Sequence, residues 1–147
     1  MPKKRPKIEL EVEANAIEPT SADGNPVGLD IFSNESIRVP GNGSKAISTG
    51  IKLDIEDGYY ATIEERSGMS LRTPLSLKAG IIDQDYRGEI KVVFQNTSNI
   101  FYDVEHGDKI AQLIFHRQEI PKIEIVKKLS NPDTVRGEKG FGSSDDQ

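Results

Sequence analysis

The chain has 147 residues, of which 35% are hydrophobic and 29% are charged, and its formal net charge is −5. This length suits one domain, and the acidic balance argues against direct binding of nucleic acid. There are no cysteines and only two histidines, which excludes disulfides, thiolate chemistry and histidine-based metal cages. Any metal is expected to be held by carboxylates, phosphates and water, which favours magnesium.

No apolar run approaches the roughly 20 residues that cross a membrane, and no hydrophobic stretch follows the basic N-terminus as in a signal peptide. We therefore expect a cytoplasmic protein without a membrane partner, or a nuclear one in a eukaryotic host. The basic tip, residues 1–7, is interpreted as a solvated terminus rather than an import signal. The modest apolar content predicts that copies of the chain associate.

Alternating apolar residues predict a series of short β-strands. The alternation occurs at residues 8–12, 51–55, 59–63, 90–94, 111–115 and 123–125. Turn signals separate these segments, and no window shows a sustained helical stripe. We predict an all-β barrel or sandwich that forms a single domain over residues 1–129.

The composition changes over residues 130–147. This segment is poor in large apolar residues and has glycines at 137, 140 and 142. It can bury too little surface to offset its ordering entropy, so it is expected to be flexible by itself. Arg136, Phe141 and the pair Ser143-Ser144 favour an arm that closes over an anionic ligand rather than a plain tail.

Two segments in the first half of the chain carry polar residues next to predicted strands. Residues 27–31 (VGLDI) place Asp30 between aliphatic residues, where it suits bonding to backbone amides. Residues 65–70 (ERSGMS) offer the planar fork of Arg66 to phosphate oxygens, together with the hydroxyl of Ser67 and the unhindered amide of Gly68. A short helical turn beginning here would direct its N-terminus at an anion.

The third segment, residues 79–88 (AGIIDQDYRG), suits a tight loop that presents polar side chains from a rigid sheet. A carboxylate in such a loop, here Asp83, can orient and deprotonate a water. Tyr86 offers a flat face to a sugar or a base. Asp85 and Arg87 are expected to pair with neighbouring residues.

The fourth and fifth segments lie in the second half. In residues 107–114 (GDKIAQLI), Ile110 and Gln112 are predicted on one face of a strand, with Ala111 and Leu113 on the other. Gln112 is polar in an apolar strand and needs a protein or ligand partner. The fifth segment, residues 136–144 (RGEKGFGSS), belongs to the arm.

Together and in this order, the five segments resemble the motifs of the trimeric dUTPase family, the dUTP nucleotidohydrolases. The resemblance runs from Gly28 to Ser144. It implies an antiparallel jelly-roll or distorted β-barrel, a homotrimer with shared active sites, and a flexible arm over residues 130–147 that closes them. The implied reaction converts dUTP and water to dUMP and pyrophosphate, with Mg²⁺ on the triphosphate. Such activity keeps uracil out of DNA and supplies dUMP for dTMP synthesis.

The resemblance also implies roles for individual residues. Asp83 would be catalytic, activating the water for in-line attack on the α-phosphorus, and Asp30 would contact the metal through water. The implied phosphate contacts are Arg66, Ser67, Gly68, Gln112, Arg136, Gly142, Ser143 and Ser144. The implied uracil and deoxyribose contacts are Lys78, Ala79, Gly80, Ile82, Tyr86 and Phe141, of which Tyr86 would exclude a 2′-hydroxyl and Phe141 would stack on the uracil.

Three positions depart from the family pattern, and two other functions stay open. Val27 replaces a common Ala, Lys78 stands in the base-reading hairpin where Gly or Asn is frequent, and Asp145 replaces a usual Gly. The alternatives are a dCTP deaminase-like enzyme and a nucleotide-binding regulatory module that does not hydrolyse. The loop around Asp83 and the complete arm motif favour the dUTPase.

Overall fold

The computed structural model describes residues 4–21 and 27–142, which form twelve β-strands and one short helix. The elements are β1 (Ile8–Val12), β2 (Thr20–Ser21), β3 (Leu29–Phe32), β4 (Ile37–Val39), β5 (Ser44–Ser48), β6 (Ile51–Ile55), β7 (Tyr59–Glu64), α1 (Ser67–Arg72), β8 (Leu75–Leu77), β9 (Ile81–Ile82), β10 (Lys91–Asn96), β11 (Tyr102–Val104) and β12 (Lys109–Arg117). Every strand pairing among the described residues is antiparallel. The predicted all-β class is confirmed.

Four sheets surround one hydrophobic core. The largest has the strand order β2-β3-β12-β7-β9, a second has the order β5-β10-β8, and the pairs β1-β6 and β4-β11 complete the shell. All four sheets contribute to a single buried cluster, to which Ile31, Phe94, Leu53 and Val104 belong. Each such side chain contributes about 1.5–3 kcal/mol on burial. The sheets therefore close around one core, as a jelly-roll or distorted barrel requires.

The pairing of β12 with both β3 and β7 sets the position of the polar residues. Gln112 lies opposite Asp30 of β3 on one side and opposite Glu64 of β7 on the other. Ala111 and Leu113 point into the core, so Gln112 lies on the outer face of the sheet. One row across three strands thus carries three polar side chains.

The predicted face of Ile110 is wrong. Ile110 is buried in the same core cluster as Ala111 and Leu113, instead of sharing the outer face with Gln112. The register between β12 and β3 shifts between Lys109 and Ala111, as at a β-bulge. A bulge adds one residue to the strand and so reverses the alternation on one side of it.

The strand predicted at residues 123–125 is also wrong. Residues 118–142 form no helix or strand, and the side chains of Ile123 and Ile125 are exposed. Alternation indicates only that a segment has one apolar face, whereas a strand also needs a hydrogen-bonding neighbour.

The first described residues contact Glu56, which directly follows β6. Lys4 forms an ion pair with Glu56, and the Lys7 backbone amide donates to Glu56 Oε2 at 2.8 Å. Residues 1–3 of the basic tip lie outside the described residues. Within the part of the chain that the structure describes, no helix has the length and apolarity needed to span a membrane.

Candidate active site

A pocket of about 240 Å³ opens beside the β8–β9 connection and the loop that follows it. The hairpin predicted here is not formed as a strand pair, because β8 pairs with β10 and β9 pairs with β7. We call it the hairpin pocket; its lining residues are Ile63, Ala79, Gly80, Ile81, Ile82, Asp83, Tyr86, Glu89, Ile90 and Lys91. Five residues predicted from the sequence to contact the base, the sugar or the water therefore line one cavity. Lys78 does not line it, and its backbone amide donates to Val93 O at 2.9 Å.

Gly80 is required by the close approach of β7. The Ile63 amide donates to Gly80 O at 2.6 Å, and a Cβ on Gly80 would lie 2.7 Å from Ile63 O. A side chain at position 80 would therefore push the hairpin away from the sheet. Glycine keeps the pocket wall against a rigid strand, which fixes the backbone groups that face the cavity.

The loop carrying Asp83 is anchored at several points. Tyr86 N donates to Asp83 O at 3.1 Å, and Gln84 Nε2 donates to Ile55 O at 3.1 Å. Arg87 forms an ion pair with Asp54 at 2.8 Å, as predicted for that residue. The Asp83 carboxylate is exposed, and no side-chain hydrogen bond engages it within residues 4–21 and 27–142. The loop is thus fixed by its neighbours while this carboxylate stays available to a water.

Tyr86 has a defined orientation. Its hydroxyl donates to Glu89 O at 2.9 Å, and a Cβ on Gly88 would lie 2.4 Å from that hydroxyl oxygen. The chain therefore folds tightly over the phenol ring, which only glycine at position 88 allows. The ring forms part of the pocket wall.

The Glu89 carboxylate connects the same loop to the β5–β6 turn by hydrogen bonds. It accepts a hydrogen bond from the Ser48 hydroxyl and one from Gly50 N at 3.1 Å, and Lys91 Nζ lies 3.9 Å away. Burial raises the pKa of this carboxyl, but these donors and the Lys91 charge outweigh it, so the pKa lies below its ordinary value. The carboxylate therefore stays ionised in the pocket at neutral pH.

A second group of predicted residues lies where β7 meets α1. Arg66 Nε donates to Asp30 Oδ1 at 2.9 Å, and Lys109 Nζ lies 3.6 Å from Asp30 Oδ2. Asp30 holds the guanidinium through Nε, and within residues 4–21 and 27–142 both terminal nitrogens of Arg66 lack a hydrogen-bond acceptor. They have the geometry for a bidentate contact with an oxyanion. Asp30 thus orients the arginine, and its predicted metal contact through water stays a prediction.

Helix α1 begins at Ser67, as the sequence predicted for a short turn here. Arg66 is the N-cap in extended conformation, and no side chain caps the helix. The first amides of a helix have no intrahelical acceptor, so those of Ser67 and Gly68 are available to a ligand. A cavity of about 360 Å³ adjoins them, lined by Arg66, Gly68, Met69, Arg72, Thr73, Tyr102, Asp108 and Lys109. We call it the basic pocket.

Gln112 has the partner that its sequence context required. Its Nε2 donates to Glu65 O at 2.9 Å, and a Cβ on Gly28 would lie 1.9 Å from its Oε1. Gly28 therefore gives the amide the space to lie flat against β3. One N–H of Nε2 is used by Glu65, and the second has no acceptor among the described residues.

Glu65 joins three parts of this region. Its Oε1 accepts from Leu77 N at 2.8 Å, its Oε2 accepts from the Ser70 hydroxyl at 3.0 Å, and its carbonyl holds Gln112. It therefore links β8, α1 and β12. This role was not predictable from the local sequence, in which Glu65 is one of two adjacent acids.

The predicted arm residues lie away from both pockets. Arg136 Nε donates to Lys139 O at 3.0 Å, and Phe141 has a φ of 49° and a fully exposed ring. Gly142 ends the described part of the chain, so Ser143, Ser144 and Asp145 lie outside it. Their predicted contacts stay predictions.

Within one chain, the hairpin pocket and the basic pocket lie near opposite ends of β7. Ile82 of β9 pairs with Ala61, so Asp83 lies beside Tyr60 at the start of β7. From Tyr60 the chain runs extended to Arg66 and rises about 3.3 Å per residue. A fully extended chain of this length spans about 20 Å, so the backbones of Asp83 and Arg66 lie near opposite ends of β7.

Sequence reasoning missed several pocket residues. Glu89 and Lys91 line the hairpin pocket, and Arg72 and Lys109 line the basic pocket. Lys109 lies inside the fourth segment, so its charge was a visible signal. Glu89 follows the third segment directly, but its contacts with Ser48 and Gly50 depend on the fold.

A family model for dUTPases matches residues 14–145. The chain belongs to the dUTPase family. The dUTPase of Paramecium bursaria Chlorella virus 1 is 40% identical over 130 residues, which cover 88% of this chain and 91% of that protein. The trimeric dUTPase resemblance inferred from the five motifs is confirmed at the level of the family.

Solved dUTPase structures share the fold. The Staphylococcus bacteriophage 80alpha dUTPase with dUPNHPP is 26% identical, covers 93% of this chain and 97% of its own, and has a TM-score of 0.85. A mutant dUTPase from phage phi11 of S. aureus is 23% identical, covers 84% and 99%, has a TM-score of 0.77, and is described as coordinating a structural Mg(II) ion. The predicted jelly-roll class is thereby confirmed for this dUTPase-family chain.

Proposed function

We propose that this chain hydrolyses dUTP to dUMP and pyrophosphate. The observation that carries the proposal is the hairpin pocket, in which Asp83 and Tyr86 share one cavity in a chain of the dUTPase family. The pocket is smaller than the roughly 300–1,000 Å³ of sites that hold a whole drug-sized ligand, so it suits a base with its sugar. The reaction uses a free nucleotide, and we expect it in the cytoplasm, or in the nucleus of a eukaryotic host.

Asp83 acts on the water. Its exposed carboxylate accepts a proton as the water oxygen bonds to the α-phosphorus in line with the departing pyrophosphate. The bond from the α-phosphorus to the bridging oxygen breaks, and that oxygen leaves with pyrophosphate. Little covalent chemistry is required of the protein, so positioning and charge stabilisation supply most of the rate increase.

The hairpin and Tyr86 select the substrate. Backbone groups of residues 79–82 face the cavity and can distinguish uracil from cytosine, whose donor and acceptor are exchanged. A buried reading group left without its partner is costly, so this discrimination is large. Tyr86 lies under the deoxyribose and leaves no space for a 2′-hydroxyl, which excludes UTP.

The phosphates bind at the start of α1. Arg66 offers its two free terminal nitrogens, Ser67 and Gly68 offer backbone amides, and Gln112 offers its second amide hydrogen. The net charge of −5 opposes a tetraanion, so these local donors are needed to attract the substrate.

The donor set fits a magnesium ion that arrives with the substrate. Among the described residues, no group of three or more His, Cys, Asp or Glu side chains could hold a metal alone. Mg²⁺ commonly keeps several waters and binds through one or two carboxylates together with substrate phosphates. When bound, it offsets the negative charge of the triphosphate. Asp30 is the carboxylate in the phosphate region that could contact its water shell.

We further propose a homotrimer with shared sites. A general base must lie within about 2.6–3.2 Å of the water it activates, whereas the backbones of Asp83 and Arg66 of one chain lie near opposite ends of β7. A site that uses both groups on one nucleotide therefore needs a second copy of the chain. Ring closure by three copies gives three equivalent sites.

The arm completes each site. Arg136 and the Ser143-Ser144 pair would hold the γ-phosphate, Gly142 would let the backbone approach it, and Phe141 would stack on the uracil. Support comes from the exposure of residues 118–142, since a fully exposed phenyl ring gains contact area when it covers a base.

Replacing Asp83 with Asn tests the water-activating role. Asp83→Asn keeps the shape of the side chain but removes its basicity, so turnover should fall by about 10²–10⁴-fold while dUTP still binds. The measurement is Mg²⁺-dependent pyrophosphate release from dUTP, dCTP, UTP and dTTP at equal concentration. The wild-type protein should release pyrophosphate from dUTP alone.

Asp85→Asn is the matched control, because Asp85 is an exposed carboxylate in the same loop. It should keep near-normal turnover. Near-normal turnover in Asp83→Asn would contradict the assigned role of Asp83. Binding of dUTP by the wild type without pyrophosphate release would instead indicate a regulatory module, and deamination of dCTP would indicate the deaminase-like alternative.

Removal of residues 136–147 tests the arm. No residue of this segment belongs to the described core cluster, so the melting temperature should stay within a few degrees of the full chain while dUTP hydrolysis is largely lost. Removal of residues 145–147 alone is the control and should preserve activity. A large fall in melting temperature on the longer deletion would show that the arm is structural.

A further inference from the structure

Glu89 holds two functional groups of the hairpin pocket at once. Its side chain is 22% exposed and accepts hydrogen bonds from the Ser48 hydroxyl and the Gly50 amide. Its backbone carbonyl accepts the hydroxyl of Tyr86 at 2.9 Å. A single residue therefore connects the β5–β6 turn to the phenol ring.

The contacts around Glu89 make this connection stiff. Ile90 N donates to Ile51 O at 2.8 Å, and the Thr49 hydroxyl donates to Ile90 O. The Glu89 carbonyl and the Ile90 amide belong to one planar peptide group, so the carboxylate contacts and the Ile90–Ile51 bond restrain this group together. Hydrogen bonds to a charged acceptor are stronger than those between neutral groups, so the carboxylate is a strong anchor for this peptide group.

Steric exclusion of the 2′-hydroxyl of a ribose depends on the position of the Tyr86 ring. A binding group must be held within about 0.5 Å of its productive geometry. A ring that can retreat by more than this admits the larger sugar. Tyr86 is 47% exposed, so packing alone does not hold it, and the hydroxyl contact to Glu89 O is the restraint at its far end.

We propose that Glu89 is a positioning residue for sugar selection. Its carboxylate fixes the carbonyl that restrains the Tyr86 hydroxyl, and this holds the ring close enough to the deoxyribose to exclude a 2′-hydroxyl. The inference rests on the proposed function, because it assigns the deoxyribose to the Tyr86 side of the hairpin pocket. It adds a residue outside the five motifs to the specificity of that site.

A simpler role for Glu89 would be to stabilise the fold. Glu35 separates the two roles, because its Oε1 accepts the Ser48 backbone amide at 2.8 Å. Glu35 is thus a second carboxylate on the same turn residue, but it forms no hydrogen bond or ion pair with residues 86–90. Loss of Glu35 should loosen the turn without releasing the Glu89 carbonyl.

The experiment compares Glu89→Ala, Glu89→Gln and Glu35→Ala with the wild type in the full-length protein. The readouts are kcat/KM for dUTP and for UTP, the dissociation constants of dUMP and UMP, and the melting temperature. Glu89→Ala should lower the dUTP-to-UTP selectivity by about tenfold or more, within the ~10–200-fold range that one group in a pocket supplies. The change should come mainly from better use of UTP.

The other variants should distinguish a positioning role of Glu89 from a structural one. Glu89→Gln should fall between wild type and Glu89→Ala, because the amide oxygen still accepts the bonds from Ser48 and Gly50. Glu35→Ala should lower the melting temperature with the selectivity unchanged. In a Tyr86→Phe background, Glu89→Ala should add little, since the hydroxyl that its carbonyl holds is already absent.

Unchanged selectivity in both Glu89 variants would overturn the inference and leave Glu89 with a structural role alone. If Glu89→Ala does not fold, Glu89→Gln decides, and a wild-type selectivity in it would also overturn the inference. If the wild type releases no pyrophosphate from dUTP, the proposed hydrolysis fails. In that case the dissociation constants of dUMP and UMP still test the role of Glu89. Glu89→Ala should lower the preference for dUMP over UMP by the same factor of about tenfold or more.

Discussion

The antiparallel pairing of β7 with β12 and β9 is the constraint on which the site depends. At one end of β7, the register places Gln112 opposite Glu64 and delivers the chain to Arg66 and α1. Along its other edge, β7 pairs with β9, whose register carries the chain to Asp83 near the start of β7. One strand thus joins the elements of the basic pocket to those of the hairpin pocket and places them near its opposite ends. This separation supports the proposal that a second copy of the chain completes each site.

Around this strand, carboxylates position functional groups instead of contacting the substrate. Asp30 holds Arg66 through Nε, Glu65 joins α1 to β8, and Glu89 fixes the carbonyl that restrains Tyr86. Each acid is satisfied by protein donors. The carboxylate of Asp30 is balanced by Arg66 and Lys109, and those of Glu65 and Glu89 are stabilised by hydroxyl and amide donors. Asp83 differs from these in that its carboxylate is exposed and free of such contacts among the described residues.

The sequence predicted the family and the fold class more accurately than it predicted individual contacts. Alternation located β1, β6, β7, β10 and β12, because each has a core-facing side and a partner strand. It failed at residues 123–125, where a partner is lacking among the described residues, and at Ile110, where a bulge interrupts the alternation. The partner of Gln112 was required by its polarity, yet its identity as Glu65 O depends on a strand register that no local pattern encodes. The contact between Glu89 and Ser48 joins residues 41 positions apart and depends on register in the same way.

We propose that one active site uses Asp83 of one copy of the chain and Arg66 of another. Co-expression of Asp83→Asn and Arg66→Ala subunits, each inactive alone, tests it directly through dUTP hydrolysis by the purified mixture. In a closed ring of three, every mixed trimer contains one site with both groups intact, so random assortment should restore about a quarter of wild-type activity. A mixture as inactive as its two components would contradict the claim, because it would mean that each chain builds its site alone.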